Sequence, residues 1–255
     1  MKRGLYFLVM LCCVSCADKP HPENEPEVLT EQEAPAMSVP TMMGAPIPFP
    51  QIEDNLAHDT LLIQITFDLQ DGTFMMVASN TRAEEQLDAG DRNAGLRLYH
   101  YRLGKDGSPE MLARSSSALD SWTMFPTFFA DPKNEGSYII LANLGERNSW
   151  GQKVIRFNDQ GYNDLGFLNV AALKAREDDE EGQLRSITIA PHARVGAEGD
   201  ALLFTFELDE LLLYDDLRGG VDRTIQASRV SYRYNEAEGM VLYIDGEARH
   251  EEQAS

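Results

Sequence analysis

A chain of 255 residues with 42 acidic against 22 basic side chains, net −20, is a poor partner for nucleic acid or for an anionic membrane surface, because its field repels both. At 43% hydrophobic it can bury one sizeable core, while no apolar run beyond the leader reaches the ~20 residues of a membrane helix. All three cysteines, Cys12, Cys13 and Cys16, lie at the very start, which closes thiol catalysis, cysteine zinc sites and iron–sulfur clusters to the body of the chain.

In chain order, the first element is a leader. Met1-Lys2-Arg3 is a short basic region, and Leu5–Leu11 begins an apolar stretch too short to span a bilayer, the pattern of an export signal over residues 1–15. It runs into Cys13-Val14-Ser15-Cys16, which resembles the lipobox of bacterial lipoproteins, with Cys13 where that family usually carries Leu. The resemblance implies that Cys16 becomes a lipidated N-terminus and that the partner at this end is a membrane, reached through the lipid. Ala17 and Asp18 follow, and Ala at this position is similar to lipoproteins sent to the outer membrane of a two-membrane cell. Without Lys2 and Arg3 the exported chain carries 20 basic against 42 acidic residues, a charge of −22.

Residues 16–50 read as an extended linker. Eight of the 12 prolines fall between positions 17 and 50, interleaved with Glu23, Glu25, Glu27, Glu31 and Glu33. Proline removes donors and the like charges repel, so the segment cannot offset its ordering entropy. Its end, Ala45–Pro50, is apolar enough to lie against the folded domain.

From 51 to 247 the pattern is that of one mainly-β domain. Ile63, Ile65, Phe67 and Leu69 alternate with more polar neighbours, the period of a half-buried strand, and Asp71-Gly72 turns the chain into Thr73–Ser79. Leu96–Leu103 and Glu110–Ala113 flank Lys105-Asp106-Gly107. Ser137–Asn143 is apolar on both faces and predicts a central strand. Gln152–Phe157 and Leu165–Val170 bracket Asn158–Gly161, another hairpin. Val170–Glu181 reads as a short helix from its alanines, ending in the acidic run Glu177–Glu181, and Thr81–Leu87 as a further turn or two. Strands follow over Leu184–Ala190, Leu202–Leu208, Ile225–Tyr234 and Met240–Asp245, with a disordered tail over 248–255.

The architecture expected is an antiparallel β-sandwich or related sheet packing with one or two short helices. Asp71-Gly72, Glu135-Gly136 and Glu198-Gly199 recur before apolar runs, with glycines 64 and then 63 residues apart. With Pro126 and Pro191 upstream of two copies, they loosely resemble TolB-like propeller blades, and propeller-like blades are the alternative. Ordinary blades recur at about 40–50 residues, so acid–glycine hairpin turns of a common kind are the simpler reading.

Site chemistry is sparse. The chain has no G-x-S-x-G elbow, H-E-x-x-H, P-loop or dinucleotide fingerprint, and no catalytic residue is assigned. His58, His100 and His192 read as surface or sheet histidines. Asp88, Asp91 and Asn93, before Gly95, place oxygen ligands at near-alternate positions as calcium loops do, although the full calcium-loop spacing is missing; Ca2+ is the one cofactor considered. Trp122, among Phe125, Phe128 and Phe129, reads as packing. Trp150, beside Arg147 and Asn148 in a loop, is the candidate contact for an envelope protein or a glycan. Two functions survive: a lipid-anchored binding or scaffold module of the cell envelope, and a secreted glycan hydrolase using paired carboxylates.

Overall fold

The computed structural model describes residues 42–53, 61–80, 96–116, 124–144, 148–175, 184–215 and 220–250. They fall within one compact unit and form four antiparallel sheets, none closed into a barrel. The first sheet is a meander of β1 (Gln51–Ile52), β2 (Leu61–Asp68), β3 (Thr73–Asn80), β4 (Arg97–Leu103) and β5 (Pro109–Arg114). The second is another, of β6 (Met124–Ala130), β7 (Tyr138–Leu144), β8 (Gly151–Asn158) and β9 (Gly161–Leu168).

Beyond β9 the chain shuttles between two sheets. β10 (Val170–Ala175) and β11 (Leu184–Ile187) enter one, β12 (Ala193–Glu198) and β13 (Ala201–Phe206) the other. β14 (Glu210–Leu213) and β15 (Arg223–Gln226) return to the former, and β16 (Val230–Asn235), β17 (Gly239–Ile244) and β18 (Glu247–Arg249) to the latter. The resulting orders are β11-β10-β14-β15 for the third sheet and β12-β13-β16-β17-β18 for the fourth.

Alternation along the strands decides which core each residue joins. On the second sheet Phe129, Ile139, Leu141 and Val154 pack with Val195, Leu202, Phe204, Tyr232 and Leu242 of the fourth. Their neighbours Phe128, Ile140, Ala142, Ile155 and Phe157 face the other way, onto Phe67, Met75, Val77 and Leu98 of the first sheet. The second sheet is therefore covered on both faces, which is why β7 is buried from Ile139 to Leu144 and apolar there apart from Asn143. β2 serves two faces: a bulge between Ile63 and Ile65 shifts the register, so Leu61 and Ile63 join Met76 and Tyr101 while Ile65 and Phe67 join the core toward the second sheet.

Gly72, Gly136 and Gly199 occupy the hairpins β2–β3, β6–β7 and β12–β13, all with positive φ. The recurring acid–glycine motif thus marks a hairpin turn in each of three sheets. Pro126, which lacks a donor, sits in β6 at the edge of its sheet.

Three expectations are corrected. Val170–Ala175 is strand β10, not the start of a helix: Val170 and Ala171 pair with β14, Ala172–Ala175 with β11, and the small buried alanines suit a crowded inner strand better than their helix propensity predicts. The helical content among the described residues is two one-turn 3-10 segments, Ala190–His192 and Ala227–Arg229, the second breaking the continuous strand expected over Ile225–Tyr234. Ala248 and Arg249, assigned to the tail, belong to β18, because Asp245 and Gly246, at φ 55° and 81°, fold the chain back onto β17. Thr81–Leu87 and the acidic run 177–181 lie outside the described residues.

The linker's end is ordered as a strap ahead of Gln51. Gly44 exchanges backbone hydrogen bonds with Val195 (2.7 and 3.1 Å) and the Ile47 amide donates to the Phe128 carbonyl (2.7 Å). Phe49 packs edge-on against Phe128 and Tyr138, with ring centres 5.2 and 5.4 Å apart. Prolines 46, 48 and 50 carry no N–H to leave unpaired in this crossing.

Candidate functional site

Residues 148–150, which lead into β8, rest on a buried polar knot. Asn143, near the end of β7, accepts at Oδ1 from Ser149 Oγ (2.7 Å) and from Gln152 Nε2 (2.7 Å). Ser149 Oγ in turn accepts from the Gly151 amide (3.2 Å). All three side chains are buried, so each bond is made in a low dielectric where an unmade one is expensive.

Other elements clamp the same turn. The Ser149 amide donates to the Ser186 carbonyl of β11 (3.0 Å), and the Ser149 carbonyl accepts from Ser186 Oγ (3.1 Å) and Tyr214 Oη (2.5 Å). Burial pushes the Tyr214 phenol up, so it serves as a neutral donor. Gln152 Oε1 accepts from Thr188 Oγ1 (3.3 Å), and the Trp150 amide donates to the Leu144 carbonyl (2.8 Å).

This fixed backbone presents an indole. Trp150 is 54% exposed although its sequence neighbours Ser149 and Gly151 are buried. Gly151 makes the geometry possible: at φ 119° a Cβ there would lie 2.5 Å from the Phe167 ring and 2.6 Å from the Leu168 carbonyl. Asn148 is exposed on the same turn, and Phe125 of β6, paired with Asn143, is 51% exposed. Two exposed aromatics therefore flank the knot. Phe125 is the residue sequence reasoning missed, because the aromatic run Phe125, Phe128, Phe129 reads as uniformly core until β6 is placed at a sheet edge.

Arg147 lies outside the described residues, as do Cys16, Trp122 and the oxygen-rich positions Asp88, Asp91 and Asn93. Among the described residues no group of three or more His, Asp or Glu is placed to hold a metal ion, and no helix is long and apolar enough to cross a membrane.

The hydrolase reading needs two carboxylates facing one another across a cleft. Among the described residues the two buried aspartates pair instead with arginines: Asp131 with Arg156 Nε at 2.9 Å, and Asp215 with Arg223 at 3.2 Å. His100 stacks edge-on against Phe157, ring centres 4.8 Å apart, and burial holds its pKa below the ordinary 6.5 against a smaller upward pull from Asp71. It is a packed sheet histidine. Comparison with protein-family models, with curated proteins and with solved structures finds no match.

Proposed function

We propose that this domain is a non-catalytic binding or scaffold module of the bacterial envelope, tethered through a lipidated Cys16 and the proline-rich linker, with the Trp150 turn as its contact surface. The observation that carries the reading is the half-exposed indole beside Ser149, which is held by Asn143 of β7, Ser186 of β11 and Tyr214 just past β14. An exposed tryptophan on a mobile loop gives up much of its contact energy to ordering. One on a fixed turn does not, which is the physical basis of aromatic hot spots. The acidic body keeps the module off anionic lipid, so the anchor rather than the surface supplies membrane attachment, and stable attachment takes more than one acyl chain.

Two measurements test this. Cys16→Ala is expected to abolish metabolic labelling by a fatty acid and to release the domain into the soluble fraction; label retained on that variant refutes the anchor. Trp150→Ala is expected to weaken capture of an envelope protein or glycan by about 2 kcal/mol or more. Unchanged capture refutes the contact.

A further inference from the structure

A second, independent site lies at the opposite end of the second sheet. Between its β6–β7 turn and the β12–β13 and β16–β17 turns of the fourth sheet is a cleft of about 490 Å³, within the size range of small-ligand sites. Its two walls carry opposite charge. Lys133 and Arg156 come from the second sheet, Asp200 and Glu236 from the fourth, with Leu202 and Tyr234 between them.

Arg156 is held from one side of its guanidinium. Its Nε donates to Asp131 Oδ2 (2.9 Å), which also accepts from Asn134 Nδ2 (2.9 Å), while Asp131 Oδ1 accepts from the Lys133 amide (2.9 Å). The aspartate is thus occupied at both oxygens, and it fixes the plane of the guanidinium. Its terminal nitrogens Nη1 and Nη2 make no hydrogen bond among the described residues, and the side chain lines the cleft. Guanidinium donors bind acceptors readily, and those left on Arg156 are open to solvent through the cleft it lines. The free edge of a guanidinium held at Nε matches a carboxylate with two parallel bonds. Lys133 Nζ donates to the Asp200 carbonyl, tying the two turns together and setting the rim.

A bare anion is disfavoured here by the net charge of −20 and by Asp200 and Glu236 on the facing wall. A ligand that brings its own cation meets both walls. We propose that this cleft binds a small zwitterion, an amino acid or short peptide, with its carboxylate on Arg156 and its ammonium toward Asp200 and Glu236. This site does not rest on the Trp150 reading, and either can fail alone.

The test is a titration of the whole protein with glycylglycine, acetate and inorganic phosphate, followed by ¹⁵N NMR of the arginine side chains. Glycylglycine is expected to shift the Arg156 resonances saturably, with acetate at least ~tenfold weaker and phosphate weaker still, since tenfold is about the worth of one charged hydrogen bond. Glu236→Gln, on an exposed turn, is expected to bring the dipeptide's affinity down toward that of acetate. Removing Arg156 orphans the buried Asp131 and endangers the fold, so the wild-type titration decides. No saturable Arg156 shift with glycylglycine, phosphate binding as tight as the dipeptide, or an unaltered Glu236→Gln variant each overturns the assignment.

Discussion

The Tyr162 hydroxyl is buried between the first and second sheets without a hydrogen-bond partner among the described residues, and burial pushes its pKa well up. An unmade buried hydrogen bond costs about 1–3 kcal/mol, so Tyr162→Phe is expected to raise the urea-unfolding free energy by about 1 kcal/mol, keeping the ring stack on Phe157. His100 works in the other direction. Its folded pKa lies below the ordinary 6.5, so the unfolded chain binds the extra proton first. Stability is full above that value and falls as pH drops through the window below it. His100→Gln should flatten this part of a stability–pH curve, while a curve of unchanged slope would show that His100 does not titrate with folding. Glu110 and Asp245, held down by their hydrogen bonds to Arg102 and Arg229, lose their contribution only as pH falls through their lower folded values. At this scale Trp150 was legible, since polar neighbours in a turn-rich segment signal exposure. The Asn143–Ser149–Gln152 knot was not, because three polar residues scattered over ten positions look like any loop until the hairpin brings them together.

For the elements, hairpins were the most legible feature because their signals are local. Asp71-Gly72, Asp106-Gly107 and Asn158–Gly161 each turn the chain where period-two runs end. β10 was misread for the opposite reason: an alanine-rich segment has helix propensity, and only pairing with β11 and β14, distant partners in sequence, overrides it. The β2 bulge was hidden too, since alternation of Ile63 and Ile65 predicts one face and the register shift sends them to two. The element-scale prediction concerns Gly151, where the φ of 119° and the close Leu168 carbonyl leave no room for a methyl group. Gly151→Ala is expected to cost more than about 1 kcal/mol and to loosen the Trp150 turn, read as faster amide exchange at Trp150 and Gly151. Exchange unchanged from wild type would mean that the knot, not the glycine, sets the turn.

At the scale of the whole molecule, the absence of cysteine beyond Cys16 made a core-held fold legible, and mainly-β sheet packing followed from the run of hairpins. The sequence could not assign the order in which β10–β18 shuttle between two sheets, because pairing partners of equal hydrophobicity are indistinguishable without the third dimension. The strap was legible from its apolar residues: Ala45–Pro50 reads as lying against the domain, and Ile47 and Phe49 pack onto the core between the first and second sheets. A chain starting at 51 is therefore expected to be about 2 kcal/mol or more less stable than one starting at 42, through the apolar core surface that loss of these two side chains uncovers. Equal denaturation midpoints for the two lengths would assign the strap no energetic role.

Photocrosslinking in intact cells reads directly whether Trp150 is a surface contact. A photoreactive phenylalanine analogue at position 150 is expected to give a discrete adduct that the same analogue at Asp159, on the opposite end of the second sheet, does not. No adduct from position 150, or the same adduct from both positions, would rule out a specific contact at Trp150.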